Sequence, residues 1–256
     1  MLLSVVIPVY NERHTLGTVL ADVARNLPGV SKEIIVVDDC SNDGTREWLE
    51  ANLPDGIRSG SQVNLNADGD LDWVQSPGSS TVTVRAIFHA HNKGKGGALQ
   101  TGFAAFAGDI LVIQDADLEY DPADWGEMYR LIAVRKIADV VYGSRFYGNP
   151  HRSLFYHHYL ANRLISQLFN IAFNQTLTDI ETCYKMMTGR VARSLRLSAN
   201  DFGIEVEMSA EIAKQRHLRI YELGISYYGR TYAEGKKINW RDGLKALWYI
   251  FYFRFR

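Results

Sequence analysis

Cysteine and proline are scarce: 256 residues hold 2 Cys and 6 Pro. Cys40 and Cys183 lie far apart and form no metal-type pair. Both read as small buried hydrophobes in a chain kept in a reducing, cytosolic compartment. An excess of one charge is missing as well. The chain carries 28 Lys and Arg against 29 Asp and Glu, a formal net charge of −1, whereas a dedicated nucleic-acid binder wants a basic domain. No nucleic-acid partner is expected. The longest apolar run, Ala246 to Phe253, falls short of the ~20 residues that span a bilayer. The start, Met1-Leu2-Leu3-Ser4-Val5-Val6-Ile7-Pro8, lacks a basic n-region and a cleavage site, so it reads as a strand and no spanning segment is expected.

What is present is ordinary globular composition, 46% hydrophobic and 22% charged, which excludes a disordered, collagenous or coiled-coil chain. A chain of this length buries a large core without staples. At about 150 residues per domain it makes one large domain or two small ones.

Short Val- and Ile-rich runs alternate with longer helical patterns. The runs are Leu3–Val9, Glu33–Val37, Val82–Phe88, Ile110–Ile113 and Asp139–Tyr142. Between the first two, Leu16, Val19, Leu20, Val23 and Leu27 recur at helical spacing, as do Ala98, Leu99, Gly102, Phe103 and Phe106 later. Strands buried on both faces and separated by helices predict an α/β fold with a mostly parallel central sheet. Ligands bind such sheets beyond the carboxyl ends of the strands. Residues 54–81 break the rhythm. Val63 and Leu65, a turn at Asp68-Gly69, then Leu71 and Trp73 predict a polar β-hairpin insertion. The turn faintly resembles a calcium loop, but Asn64 and Gln75 stand where that loop needs acids. Residues 151–175 read as an aromatic, His-containing helix, and 201–256 as a helix, a strand near Ile220–Tyr227, a basic loop and an aromatic tail.

Chemistry gathers at the predicted strand ends. Asp115-Ala116-Asp117 directly follows the run Ile110–Ile113. Two carboxylates one residue apart repel each other unless a cation joins them. Mg²⁺ or Mn²⁺ is typically held by one or two carboxylates plus substrate phosphates. Glu119 could add a third oxygen. Asp38-Asp39 ends the second run, where one carboxylate can accept from a nucleobase or ribose, while Ser41 or Asp43 caps the helix that follows. Tyr10 offers a stacking face after the first run, and Glu12 an acceptor. Asn92-Lys93-Gly94-Lys95-Gly96-Gly97 lacks Walker spacing and the Ser or Thr after its Lys, so a glycine turn near a sugar nucleotide is expected instead. Arg145 after the fifth run, and Arg230 with Lys236 and Lys237 later, are the fixed cations that a diphosphate or a phosphate acceptor needs.

These residues together resemble family 2 glycosyltransferases of the GT-A fold, and within them the dolichyl- and polyprenyl-phosphate mannosyl- and glucosyltransferases. The matching segments are Ile7-Pro8-Val9-Tyr10-Asn11-Glu12, Val37-Asp38-Asp39, Gly94-Lys95-Gly96, Asp115-Ala116-Asp117-Leu118-Glu119 and Gly143-Ser144-Arg145. The resemblance covers nearly the whole chain outside 54–81. It implies a single GT-A domain, with residues 1–145 as the nucleotide-sugar half and 146–256 as the acceptor half. It implies that Pro8, Tyr10, Glu12, Asp38, Asp39, Lys95 and Ala116 line the nucleotide pocket. Asp115, Asp117 and Glu119 would hold Mg²⁺ or Mn²⁺ with the diphosphate, which Arg230 and Lys236 would grip. Arg145 would meet the acceptor phosphate. Asp179 matches a family acid near the active site, where it either acts as base for a hydroxyl acceptor or orients Arg145 or the acceptor.

The expected activity is inverting, metal-dependent transfer of a hexose from GDP-mannose or UDP-glucose to a polyprenyl phosphate. A hydroxyl acceptor with Asp179 as base is the alternative, and a catalytically silent nucleotide-sugar-binding subunit is a third reading. The tail 244–256 is too short to span a bilayer, but its aromatics and its Lys245, Arg254 and Arg256 suit an interface. That predicts a peripheral protein at the cytoplasmic face of a membrane. Packing of the same tail on the domain, on a second copy or on a membrane partner subunit is the competing expectation.

Overall fold

The computed structural model describes residues 1–76, 80–147, 150–153, 155–231 and 240–256. Its centre is an eight-stranded sheet. The strands in chain order are β1 (Leu2–Val9), β2 (Ser31–Asp38), β3 (Ile57–Gly60), β4 (Gln62–Leu65), β5 (Leu71–Val74), β6 (Val82–Phe88), β7 (Ile110–Ile113), β8 (Val140–Ser144), β9 (Lys185–Thr188) and β10 (Ile220–Gly224). The large sheet runs β10-β8-β9-β7-β1-β2-β6-β3, and β4 with β5 forms a separate pair. β1 pairs in parallel with both β2 and β7, and β2 with β6. The chain therefore leaves β1 in both directions, which opens a crevice at the carboxyl ends of β1 and β7. Ile110, Leu111, Val112 and Ile113 are wholly buried, as are Leu3, Val5, Val6 and Ile7. Such double-sided burial explains why these runs are apolar throughout rather than alternating.

The helices are α1 (Leu16–Arg25), α2 (Thr45–Asn52), α3 (Gly94–Ala105), α4 (Trp125–Tyr129), α5 (Tyr156–Phe173), α6 (Gly189–Ser194), α7 (Ile204–Lys214) and α8 (Trp240–Phe255). α1 buries Leu16, Val19, Leu20 and Val23, the i, i+3, i+4, i+7 face its spacing predicts.

The insertion contains the expected hairpin: Val63 faces Trp73 and Leu65 faces Leu71. Asn66 Oδ1 accepts from the backbone N–H groups of Asp68 and Asp70, both at 2.9 Å, so the turn is built by an Asx contact. Part of the insertion does more than predicted, because β3 joins the large sheet as an antiparallel edge beside β6. β9 is a second departure. It enters antiparallel between β7 and β8, and its sequence, Lys185-Met186-Met187-Thr188, carries neither a Val/Ile run nor an alternation that would announce a strand.

α5 and α8 pack together and onto α7. α8 buries Ala246, Ile250 and Phe253 but exposes Phe251 (68%) and Phe255 (74%). α5 buries Ile165 and Phe169 and leaves Tyr156, Leu160, Leu164 and Ile171 exposed. Tyr249 Oη donates to Asp201 Oδ1 at 3.0 Å, which fastens α8 beside the start of α7. Among the described residues no helix is long and apolar enough to cross a membrane.

Candidate active site

The turn after β1 is fixed from the side. The backbone N–H of Asn11 donates to Ser41 Oγ at 2.9 Å and that of Glu12 to Thr45 Oγ1 at 3.1 Å. This presents Tyr10 and Glu12 at the crevice. At the end of β2 the two adjacent acids diverge, as strand alternation demands. Asp38 is wholly buried and pairs with Arg46, Nε to Oδ2 at 2.9 Å. Asp38, expected at the nucleotide pocket, does not line the cavity in this structure. Asp39 does line it. Its carboxylate accepts from the backbone N–H groups of Lys93 (2.8 Å) and Gly94 (2.7 Å) and lies 2.6 Å from His89 Nδ1.

The glycine turn opening α3 lies at the cavity, which Gly94 lines, and is also bound to the chain itself. Gly96 donates its N–H to the Asn200 carbonyl at 2.8 Å. A Cβ on Gly96 would stand 2.0 Å from the Ala199 carbonyl oxygen, and Gly94 adopts φ +83°. Here glycine serves a close approach of the chain to itself. The side chain of Lys95, between these glycines, is what reaches the site.

Lys95 Nζ lies 2.8 Å from Asp115 Oδ1 and 3.2 Å from Glu205 Oε1. Glu205 in turn pairs with the wholly buried Lys185 at 2.5 Å. Burial works to depress the Lys95 ammonium, but Asp115 and Glu205 outweigh it and hold its pKa well above the usual lysine value. Asp117 meets a different cation, with Arg230 Nη2 2.5 Å from its Oδ2. Burial and the neighbouring charges of Asp115 and Glu119 push the Asp117 carboxyl up to about 7 against the opposing pull of Arg230.

Glu119, expected as a third metal oxygen, has both oxygens engaged elsewhere. Oε1 accepts from the Arg230 backbone N–H at 2.8 Å and Oε2 from Tyr227 Oη at 2.9 Å. Arg145, after β8, is clamped by Asp179, with Nε to Oδ2 at 2.7 Å and Nη2 to Oδ1 at 2.8 Å. Asp179 is wholly buried. Lys236 and Lys237 lie outside the described residues.

One cavity of about 740 Å³ collects most of these groups. Pro8, Tyr10, Glu12, Asp39, Lys95, Asp115, Ala116, Asp117, Glu119, Arg145 and Arg230 all line it, while Asp38 and Asp179 stand behind its wall. α5 and α8 also line it, through residues such as His157, Ala161, Ile165, Ala246 and Leu247. Sequence reasoning missed Glu181, Glu205 and the pair His157-His158, which also line the cavity. Their role is long-range and no local motif marks it. Burial pushes the Glu181 carboxyl up to about 7, with Arg145 pulling against the rise and Asp179 adding to it.

Among the described residues no three His, Cys, Asp or Glu side chains gather closely enough to hold a metal by themselves. The oxygen-only set at Asp115 and Asp117 nevertheless suits Mg²⁺ or Mn²⁺, which take one or two carboxylates and complete their shell with phosphate oxygens and water. That the protein already places a cation against each acid demonstrates that the position favours positive charge.

An open α/β sheet with an Asp-Ala-Asp loop and converging cations at its switch point is the architecture of the GT-A glycosyltransferases. The profile described as Glycosyl transferase family 2 matches residues 4–61 and 68–195, and the chain belongs to that family. The dolichol-phosphate mannosyltransferase of Pyrococcus furiosus is 32% identical over 146 residues, 57% of this chain and 34% of that protein. The undecaprenyl-phosphate mannosyltransferase of Micrococcus luteus is 27% identical over 241 residues, 90% of this chain and 85% of that one. The chain thus spans about a third of the first relative's length and most of the second's. Among solved structures, glucosyl-3-phosphoglycerate synthase from Mycobacterium tuberculosis with phosphoglyceric acid superposes with a TM-score of 0.68 at 18% identity, covering 98% of this chain and 79% of that one. The same enzyme with Mn²⁺ and UDP-glucose gives 0.65 at 18% identity, covering 96% of this chain and 75% of the other.

Proposed function

We propose that this chain moves a hexose from a nucleotide diphosphate sugar to a polyprenyl phosphate, with inversion at the anomeric carbon, as a peripheral protein on the cytoplasmic face of a membrane. The observation that carries the reading is the make-up of the cavity. Charged groups (Asp115, Asp117 and Arg230) and apolar residues of α5 and α8 line the same cavity. Those same helices expose aromatic and aliphatic side chains. A lipid phosphate needs both kinds of lining at once. Relatives named for dolichol phosphate and undecaprenyl phosphate support the choice.

In this reading residues 1–145 bind the donor and 146–256 the acceptor. Tyr10 stacks on the base, and Lys95 and Arg230 oppose the charge of the diphosphate, with Lys236 joining them from outside the described residues. Asp117, with Asp115 beside it, would hold the divalent ion, which when bound acts as a Lewis acid toward the departing diphosphate. An acceptor monophosphate, with a second pKa of about 6, is already an anion at neutral pH and needs positioning rather than a base. Arg145 supplies that positioning. Asp179 then serves as the holder of Arg145. A single in-line displacement gives the inversion.

The test is a transfer assay with radiolabelled GDP-mannose and UDP-glucose, with and without polyprenyl phosphate, followed by butanol extraction. Labelled lipid formed from one donor and dependent on polyprenyl phosphate is the expected result. Label that stays in a water-soluble glycoside whether or not lipid is present overturns it.

One observation favours a second reading, transfer to a hydroxyl. The Glu181 carboxyl lines the cavity with a pKa near neutrality, which suits a general base better than the doubly engaged Asp179 does. Glu181→Gln separates the two. It costs about 10²–10⁴-fold in kcat if a hydroxyl must be deprotonated, and little if the acceptor is a phosphate.

A further inference from the structure

We propose that Arg230 and the divalent cation are alternative occupants of one carboxylate site, so that the metal binds tightly only when a nucleoside diphosphate draws Arg230 away. The inference rests on the donor reading above.

Three acids face one guanidinium. Arg230 Nη2 lies 2.5 Å from Asp117 Oδ2 and 3.6 Å from Glu12 Oε1, and its Nε lies 3.2 Å from Glu119 Oε1. The guanidinium is delivered by backbone as well as by charge. Tyr228 donates its N–H to the Glu119 carbonyl at 2.9 Å, and Tyr120 forms an antiparallel bridge with Tyr227. The segment before Arg230 is therefore pinned to the loop that carries Asp117.

The two acids of the Asp-Ala-Asp loop are not equivalent. Lys95, on Asp115, is boxed in by Glu205, which Lys185 holds from the core. Arg230, on Asp117, belongs to a loop residue whose side chain is about a quarter exposed (24%). Asp115 keeps its protein cation, and Asp117 can exchange its own.

A metal ion on Asp117 must sit closer than a guanidinium does, at about 2.0–2.1 Å for Mg²⁺. Both cations on the same carboxylate would repel each other, so Arg230 has to leave. It leaves only if its N–H groups find other acceptors. A diphosphate provides these acceptors, and it also provides the oxygens that the protein alone does not gather, since the described residues form no three-ligand metal group. Diphosphate and metal thus enter as one unit, and Arg230 moves from carboxylate to phosphate.

Mn²⁺ binding to the full chain, followed by the loss of its free electron-paramagnetic signal and by calorimetry, tests this without any turnover. Wild type should bind Mn²⁺ weakly alone and at least about tenfold more tightly with UDP or GDP present, an enhancement that corresponds to about 1.4 kcal/mol. Arg230→Gln should bind Mn²⁺ alone about tenfold more tightly than wild type, with a smaller gain from nucleotide. Arg230→Met, neutral and without hydrogen-bonding groups, should do the same, which excludes a glutamine-specific ligand. Equal nucleotide-free affinity in wild type and both variants overturns the proposal while leaving a metal-dependent donor site in place. No Mn²⁺ binding by any of the three, with either nucleotide, overturns it together with the metal-diphosphate reading.

Discussion

Asp179 holds Arg145 by three contacts, two from the guanidinium at 2.7 and 2.8 Å and one from the backbone N–H at 3.1 Å. A carboxylate so engaged is wholly buried and does not line the cavity. Its contacts fix the direction in which Arg145 points.

Loss of that direction should appear on the acceptor side. Arg145→Ala should raise the KM for polyprenyl phosphate by roughly 10- to 150-fold, since a hydrogen bond to a charged group is worth about 1.5–3 kcal/mol. Asp179→Asn should move the same constant in the same direction by less, leaving the donor KM within a few-fold and the shape of the pH profile unchanged. Steady-state kinetics with each substrate varied in turn checks both. A lost acidic limb in the pH profile of Asp179→Asn would make it a base after all.

Metal dependence should focus on Asp117. Asp117→Asn should reduce turnover by at least about 10²-fold, the scale of losing one electrostatic stabiliser of a leaving group, while leaving the melting temperature close to that of wild type. EDTA should reproduce the loss in the wild-type enzyme, and Mn²⁺ should restore it there but not in the variant.

Far from the site, Lys32 gives a prediction about stability. It is 2% exposed and donates to the carbonyl of Ala24, in the last turn of α1, and to those of Leu27 and Val30 just beyond it. Burial lowers its pKa from 10.5 to about 8. Between these values the unfolded chain binds the proton and the folded one does not, so this group makes stability rise with pH over that window. The gain amounts to at most about 3 kcal/mol at 1.36 kcal/mol per unit. Burial raises the pKa of Tyr120, Tyr142, Tyr184 and Tyr227, so these groups ionise first in the unfolded chain and lower stability at the top of the window, and the useful quantity is a difference. Urea unfolding of wild type minus Lys32→Met should climb from pH 8 to pH 10.5; a flat difference means that the amine is not perturbed.

The exposed faces of α5 and α8 predict membrane affinity. Trp248, Phe251 and Phe255 recur at helical spacing on α8 and are exposed. Replacing all three with serine should release the protein from anionic liposomes in co-sedimentation and leave nucleotide binding unchanged. Retained liposome binding would assign that face to a partner protein.

What could be read ahead of the fold follows from range. β2 and β7 were legible because burial on both faces writes an unbroken apolar run, Ile34 to Val37 in one and Ile110 to Ile113 in the other, and the Asp-Ala-Asp loop was legible because it directly follows such a run. β9 was not, since its pairing depends on β7 and β8 rather than on its own residues. The Asp38-Asp39 pair shows the boundary well: the sequence places two acids at a strand end, but which one faces Arg46 and which faces the α3 turn is decided by pleat and register. Lys95 was visible as a charge in a glycine turn. Its anchoring by Glu205 and Lys185 was not, because those residues come from α7 and β9.

The packing of the α3 turn against Asn200 has one more consequence. In many open sheets the first N–H groups of such a helix form a ready cradle for phosphate. Here Gly94, Gly96 and Gly97 have already given theirs to Asp39 and Asn200. The anionic part of a ligand must therefore be met less by these amides than by charged groups such as Arg230, whose side chain is about a quarter exposed. Ionic strength becomes a natural control on how long a spent nucleotide stays, because dissolved salt screens a partly exposed guanidinium far more than it screens a buried backbone cradle.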